Sequence, residues 1–178
     1  MKNRSSLHRL TVAGMIAALY ATLTLILPFA SFGTVQIRFS ELLTILPVFT
    51  VDAIPGLALG CAIANGIGMA MGANLAGGWD ILVGTAATFL AALCSYALRN
   101  VRFKGLPILA TLPPVLFNAV IVGGELCLVI FGTLAPAPLL LTMAQVGLGQ
   151  LLPCIGGGLI LFRCLKKADF EQKFLQKP

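Results

Sequence analysis

The chain has 178 residues, of which 58% are hydrophobic and only 10% charged, with a net charge of +6 and a mean hydropathy of +0.99. A soluble domain of this length lacks the interior to hide so much apolar surface, so the surrounding solvent must be largely lipid. The positive excess is clustered between apolar runs, as a membrane topology signal is, and no nucleic acid is expected as a partner.

The uncharged runs are each near the ~20 residues a helix needs to cross a hydrocarbon core about 30 Å thick. The opening stretch "MKNRSSLHRLTVAGMIAALYATLTLILPF" has an apolar part too long for a signal-peptide core, and no clean small-residue cleavage site follows. It reads as a retained first membrane segment near Leu10–Phe29. The second segment, Glu41–Thr50, is short and interrupted by Pro47. About ten residues do not span a bilayer unless flanking residues join them. The third segment runs near Ala53–Gly72, the fourth near Trp79–Leu98 and the fifth near Pro107–Phe131, where Pro113 and Pro114 either kink the helix or mark its true start. The sixth runs near Pro138–Leu165. The expected fold is all-α, a polytopic bundle of six transmembrane helices, with residues 1–178 forming a single integral membrane domain. No internal repeat is visible, unlike the secondary transporters built from inverted repeats.

Lys and Arg set the orientation. Lys2, Arg4 and Arg9 precede segment one, Arg99, Arg102 and Lys104 separate segments four and five, and Arg163, Lys166 and Lys167 follow segment six. With six segments all three clusters fall on one side, expected to be the cytoplasm of a bacterial cell whose plasma membrane holds the chain. Both termini are then cytoplasmic: a short stretch, 1–9, and a tail, 166–178, expected to include a frayed surface helix. Arg38 stands alone on the outer side, in a loop it shares with Glu41. Asp80 and Glu125 fall in the outer half and Asp52 on the inner side.

Small residues recur every four positions at Ala13, Ala17 and Ala21, and again at Gly56, Gly60, Ala64, Gly68 and Gly72. In lipid such ridges let helix backbones approach closely. The glycine ridge suits packing within the chain; the alanine ridge suits either that or a partner protein. The five cysteines are scattered through apolar runs without a CxxC pair, and His8 is the single histidine, so no zinc site or other metal site is expected. Reduced, buried thiols are the expectation.

Ionisable groups at membrane depth are costly and are functional candidates by default. A helix N-cap accounts for Asp52, which precedes Pro55. Asp80, after Gly77, Gly78 and Trp79, is either a cap or a ligand-binding carboxylate, and Trp79 either an interfacial residue or a stacking face. Glu125 has no cation near it in sequence; with Asn118 seven residues earlier it either lines a polar pocket or pairs with Arg38. Arg38 and Glu41 form either a local i,i+3 pair or a charged loop over a pocket. Gln36, Asn65, Gln145 and Gln150 are further amides that either join the pocket or tie helices together. No phosphate-binding GxxxxGK[ST] loop, nucleophile–base pair or paired catalytic carboxylate is present, so neither enzyme activity nor a cofactor is expected. Carboxylates, one guanidinium and several amides suit a planar, hydrogen-bonding solute.

The blocks "VQIRFSELLTILPVF", "AIPGLALGCAIANGIG", "GGWDILVGTAATFLAALCSY" and "LPPVLFNAVIVGGEL", in that order from about Val35 to Glu125, resemble the QueT family of queuosine-precursor transporters. The alanine ridge on a short six-helix chain is similar to the substrate-binding (S) components of energy-coupling-factor (ECF) transporters. The resemblance implies capture of a 7-deazaguanine at the outer face, with a separate transmembrane coupling protein and two cytoplasmic ATPases as partners. It implies that the loop bearing Arg38 and Glu41 closes over the substrate and that Ala13, Ala17 and Ala21 meet the coupling protein; the chemistry of the residues themselves offers Gln36, Arg38, Glu41, Trp79, Asp80, Asn118 and Glu125 as the candidates to surround it. Two other readings remain open: a self-sufficient proton-coupled carrier of a small polar solute, with Glu125 as the titrating group, and a scaffold with no ligand.

Overall fold

The structure, a computed structural model, describes residues 6–169. Lys2, Arg4 and the expected frayed helix of the tail beyond Asp169 lie outside the described residues. In chain order the helices are α1 (Ser6–Ile26), a one-turn α2 (Pro28–Ser31), a 3-10 helix (Phe39–Val48), α3 (Ala53–Ala70), α4 (Trp79–Ala97), a 3-10 turn (Ile108–Thr111), α5 (Leu112–Phe117), a π-helical stretch (Asn118–Val122), α6 (Gly123–Phe131), α7 (Pro136–Leu151), a second π-helical stretch (Leu152–Gly157) and α8 (Gly158–Lys167). Breakers set these limits. Pro113 sits in the first turn of α5, so the proline pair marks the start of that helix after a 3-10 turn and does not kink it. Gly132, at φ 64°, ends α6 in the left-handed conformation.

Among the described residues, five helices are long and apolar enough to cross a membrane: α1, α3, α4, Ile108–Phe131 and Pro136–Lys167. They turn large side chains such as Leu19, Leu82, Leu116, Leu140 and Leu148 outward, which an all-helical protein does when lipid surrounds it. The chain is thus an all-helical polytopic membrane protein.

The second predicted segment is not one of the five; it is a short apolar 3-10 helix reached by a buried stretch of irregular backbone. Ser31 and Phe32 sit at the end of the bundle where α1 finishes: the Ser31 hydroxyl donates to Thr24 O at 2.8 Å, and Phe32 lies on Gly68 near the close of α3. From there the chain descends without helical structure. By Gln36 it is beside Gln150, whose Nε2 donates to Gln36 O at 3.0 Å. Gln150 lies about fourteen residues on from Pro136, or about 21 Å along the axis of α7 at about 1.5 Å per residue. The 3-10 helix then starts deep in the bundle, and its ten residues at about 2.0 Å each make it about 20 Å long. Irregular backbone at membrane depth survives only inside protein; Gln36 and Arg38 are buried, and Gly149 abuts Val35 O so closely that any Cβ there would collide with it.

The two small-residue ridges pack on each other. A Cβ built on Gly56 would meet Ala13 O at 2.7 Å, and one on Gly60 would meet Ala17 O and Tyr20 Cβ at 2.8 Å each. Ala17 and Ala21 are buried here and Ala13 is half-buried, so the alanine ridge packs within the chain; Gly14, Met15, Ala18 and Leu19 are among the residues that α1 leaves exposed. Tyr20, Leu57, Cys61 and Ala92 centre the core that results. Gly60→Leu should therefore separate α1 from α3 and cost about 1–3 kcal/mol, read as a fall in melting temperature in detergent. Gly14→Ala, where an added Cβ meets nothing within 4 Å, should leave it unchanged.

The basic residues gather at one end. Arg9 Nε pairs with Asp52 Oδ1 at 2.8 Å, the Phe49 and Phe162 rings meet at 5.2 Å, and the Arg102 guanidinium lies 4.9 Å over Phe162. Asp52 does occupy the N-cap position of α3, but it makes no capping hydrogen bond; its carboxylate is turned to Arg9 instead. Of the cysteines, all free, Cys61, Cys127 and Cys154 are buried as expected, Cys94 is half-buried, and Cys164 is exposed on the outer surface of α8.

Candidate functional site: a buried polar chamber

Away from the basic end, α1, the descending segment, α3, α4 and the Asn118–Phe131 helix bring their polar side chains together. Arg38 anchors the group and is 3% exposed. Its Nη2 donates to Asp80 Oδ2 at 2.8 Å, its Nε to Ser31 O at 3.0 Å, and its guanidinium lies 5.2 Å from the Phe32 ring centroid. One guanidinium thus ties the descending segment to α4. Asp80, fully buried, also accepts from Asn74 Nδ2 at 2.9 Å, while its backbone carbonyl accepts from Asn65 Nδ2 at 2.6 Å. It is an ion-pair partner in the first turn of α4 and not a cap, because Gly78 holds the N-cap position. The approach is close: a Cβ on Gly84 would collide with Asp80 Oδ1.

Glu41, one turn on from Arg38, does not pair with it locally. The Tyr20 hydroxyl of α1 donates to Glu41 Oε1, and the Asn118 amide lies against the same carboxylate. Beside this pair, Thr24 Oγ1 donates to Ser40 Oγ at 2.7 Å. Asn118 opens the π-helical stretch, which shifts the helical phase over Asn118–Val122. Asn118 and Glu125 both remain buried, one on each side of that shift.

Glu125 differs from the other two carboxylates. It is 7% exposed, and neither carboxylate oxygen hydrogen-bonds to any described residue. It lies within electrostatic reach of Asp80 and Arg38, yet Arg38 is engaged by Asp80, so the sequence alternative of a Glu125–Arg38 ion pair is not what forms. Glu125 lines a cavity of about 600 Å³ with Trp79, Val83, Ile121, Leu128 and Val129. Trp79 is 69% exposed and stands at the rim of this cavity, so it does not stack on any side chain in the chamber.

The structure therefore brings Arg38, Glu41, Asp80, Asn118 and Glu125 into one buried group, with Trp79 at its edge. Gln36 is buried but takes a structural part: at φ 48° it turns the backbone, and its carbonyl holds Gln150. Gln145 is half-buried on α7. Tyr20, Asn74 and Thr88 belong to the surroundings of the site and were not expected there. Tyr20 carried a readable signal, since a phenol in an otherwise apolar membrane helix must find a hydrogen-bond partner. Asn74 and Thr88, whose hydroxyl faces Cys61 Sγ at 3.4 Å, carried none.

A helical membrane protein that buries carboxylates, a guanidinium and amides among its helices, with one of those carboxylates facing a cavity, is organised as a membrane transport protein. The model of the QueT transporter family matches residues 10–167, and the chain belongs to that family of membrane transporters. No curated protein and no solved structure matches the chain.

Proposed function

We propose that this chain is the substrate-binding membrane subunit of an ECF-type importer and captures a queuosine precursor, a 7-deazaguanine. The observation that carries the reading is the unbonded, buried Glu125 carboxylate at the wall of a 600 Å³ cavity. A guanine-type edge presents an N1–H and an exocyclic amine side by side, and one carboxylate accepts both. Asn118 supplies a donor for the ring carbonyl, and Trp79 at the rim offers a face for the base, worth about 1–3 kcal/mol in comparable stacking contacts. Glu41, Asp80 and Glu125 against Arg38 alone leave the chamber acidic, which favours the cationic aminomethyl precursor over the neutral nitrile form or queuine. The descending segment that carries Arg38, pinned to Asp80, is the element that closes over the substrate.

The positive-inside rule puts the basic end in the cytoplasm of a bacterial cell and the chamber towards the outside. A coupling protein and two cytoplasmic ATPases supply the energy. With Ala17 and Ala21 buried against α3, the coupling protein would meet the exposed side of α1, at Gly14, Ala18 and the edge of Ala13.

The test uses Trp79, the single tryptophan. The chain purified alone in detergent is titrated with the aminomethyl and nitrile 7-deazaguanines, queuine, guanine, thiamin and riboflavin while Trp79 emission is followed. Saturable quenching by a deazaguanine, strongest for the aminomethyl form, is expected. Saturation by a vitamin would overturn the substrate. Uptake into vesicles by this chain alone, driven by a pH gradient without ATP, would favour the proton-coupled carrier instead.

A further inference from the structure

At the basic end a second cavity, of about 380 Å³, is lined by Lys104, Gly105, Leu106, Phe162, Arg163, Lys166 and Lys167. Four cations and an apolar floor thus meet at the rim of the bundle. Neither ion pair described above, Arg9–Asp52 or Arg38–Asp80, draws on these four cations. The floor is firm: Phe162 is 3% exposed, held between the Phe49 ring and the Arg102 guanidinium.

The wall opposite α8 is a minimal β-hairpin. Phe103 and Leu106 exchange backbone hydrogen bonds of 2.9 and 3.0 Å, and the two residues between them, Lys104 at φ 50° and Gly105 at φ 80°, both occupy the left-handed region. That is the pattern of a type I′ turn, in which Asn-Gly and Asp-Gly are the preferred pairs. A lysine at the first turn position carries backbone strain that a surface turn does not need. It brings Lys104 to the cavity wall, with its ammonium 5.8 Å from the Phe103 ring centroid, opposite Lys166 and Lys167 of the last turn of α8.

We infer that this cavity is a binding site for the phosphate-bearing headgroup of an anionic membrane lipid. The cations take the phosphate, and Leu106 at the cavity wall meets the start of the acyl chains, over the floor that Phe162 makes firm. Basic pockets at the ends of membrane helices recognise anionic headgroups in this way, and the site lies where α8 leaves the apolar part of the bundle. A zwitterionic lipid brings the same phosphate with a quaternary ammonium attached, which four surrounding cations repel. The inference does not rest on the proposed substrate.

The experiment compares thermal unfolding of the purified chain in detergent with added dioctanoyl-phosphatidylglycerol, dioctanoyl-phosphatidylcholine or inorganic phosphate. The phosphatidylglycerol should raise the melting temperature saturably, and the other two should not. Lys104→Asn is the decisive variant, because Asn-Gly keeps the turn while removing the charge: its melting temperature without lipid should match or exceed that of the parent. Together with Arg163→Gln and Lys166→Gln it should weaken the phosphatidylglycerol response at least tenfold in concentration. Arg99→Gln, outside the cavity, should not. An equal response to phosphatidylcholine, an equal response to inorganic phosphate, or an unchanged response in the triple variant would each overturn the lipid site.

Discussion

Asp80→Asn should cost about 3–5 kcal/mol of stability, the amount lost when one member of a buried ion pair is removed and the other left uncompensated. For a small chain whose whole stability is about 5–15 kcal/mol, that leaves little margin, and both yield and melting temperature in detergent should fall sharply. The reason is geometric. Arg38 Nη2 and Asp80 Oδ2 are 2.8 Å apart with side chains 3% and 0% exposed, so no solvent replaces the lost partner. Arg38→Met should do comparable damage from the other side. The double replacement, Arg38→Met with Asp80→Asn, removes both charges and should regain much of the loss, giving a favourable coupling energy of about 1–3 kcal/mol in the double-mutant cycle. Additive losses would mean that the two residues act independently and that the contact is incidental. The double variant also separates two roles of the pair. If it pins the descending segment over the chamber, the recovered protein should still bind substrate poorly, because stability returns without the latch.

Much of this arrangement is legible in the sequence. The apolar runs located every long helix to within a few residues, since a lipid-facing span must satisfy its own backbone and has no other option. The sparse charges pointed to Arg38, Glu41, Asp80 and Glu125, because burying each of them needs a reason. The pairing among them was not readable. Arg38 and Glu41 are three residues apart, a spacing that invites a local pair on an α-helix, but Arg38 precedes the 3-10 helix with extended backbone, and that sends the two side chains to different partners. Asp52 looked like a cap and became the partner of Arg9 from a helix that begins some forty residues earlier in the chain. Such choices depend on which helices touch, and one sequence carries no record of that. The descending segment was the hardest part: nothing in "SFGTVQIR" distinguishes a surface loop from a buried re-entrant strand of backbone. The signal lies elsewhere in the chain, in Gly149 and Gln150, a small residue and a donor placed where α7 must admit that backbone.

Glu125→Gln should weaken binding of the proposed substrate, a 7-deazaguanine, by about 30- to 1,000-fold, corresponding to about 2–4 kcal/mol, while leaving the melting temperature of the free protein unchanged or higher. Both halves follow from the same fact. Glu125 makes no hydrogen bond to the described residues, so the fold has nothing to lose when its charge is removed, and a buried carboxylate is costly to keep unpaired. The ligand, by contrast, loses an acceptor for two adjacent donors: the glutamine oxygen still accepts one of them, but its NH2 group meets the other donor head-on. The amine of the base can be removed independently, by using the 7-deazahypoxanthine analogue. Against the parent protein this analogue should bind more weakly by about 1.5–3 kcal/mol, one charge-assisted hydrogen bond. Against Glu125→Gln the two ligands should bind almost equally. If the analogue is disfavoured to the same degree by both proteins, Glu125 does not touch the exocyclic amine. The carboxylate that reads the base would then have to be Glu41 or Asp80, both already engaged by Tyr20 and Arg38, and substrate entry would have to break one of those contacts first.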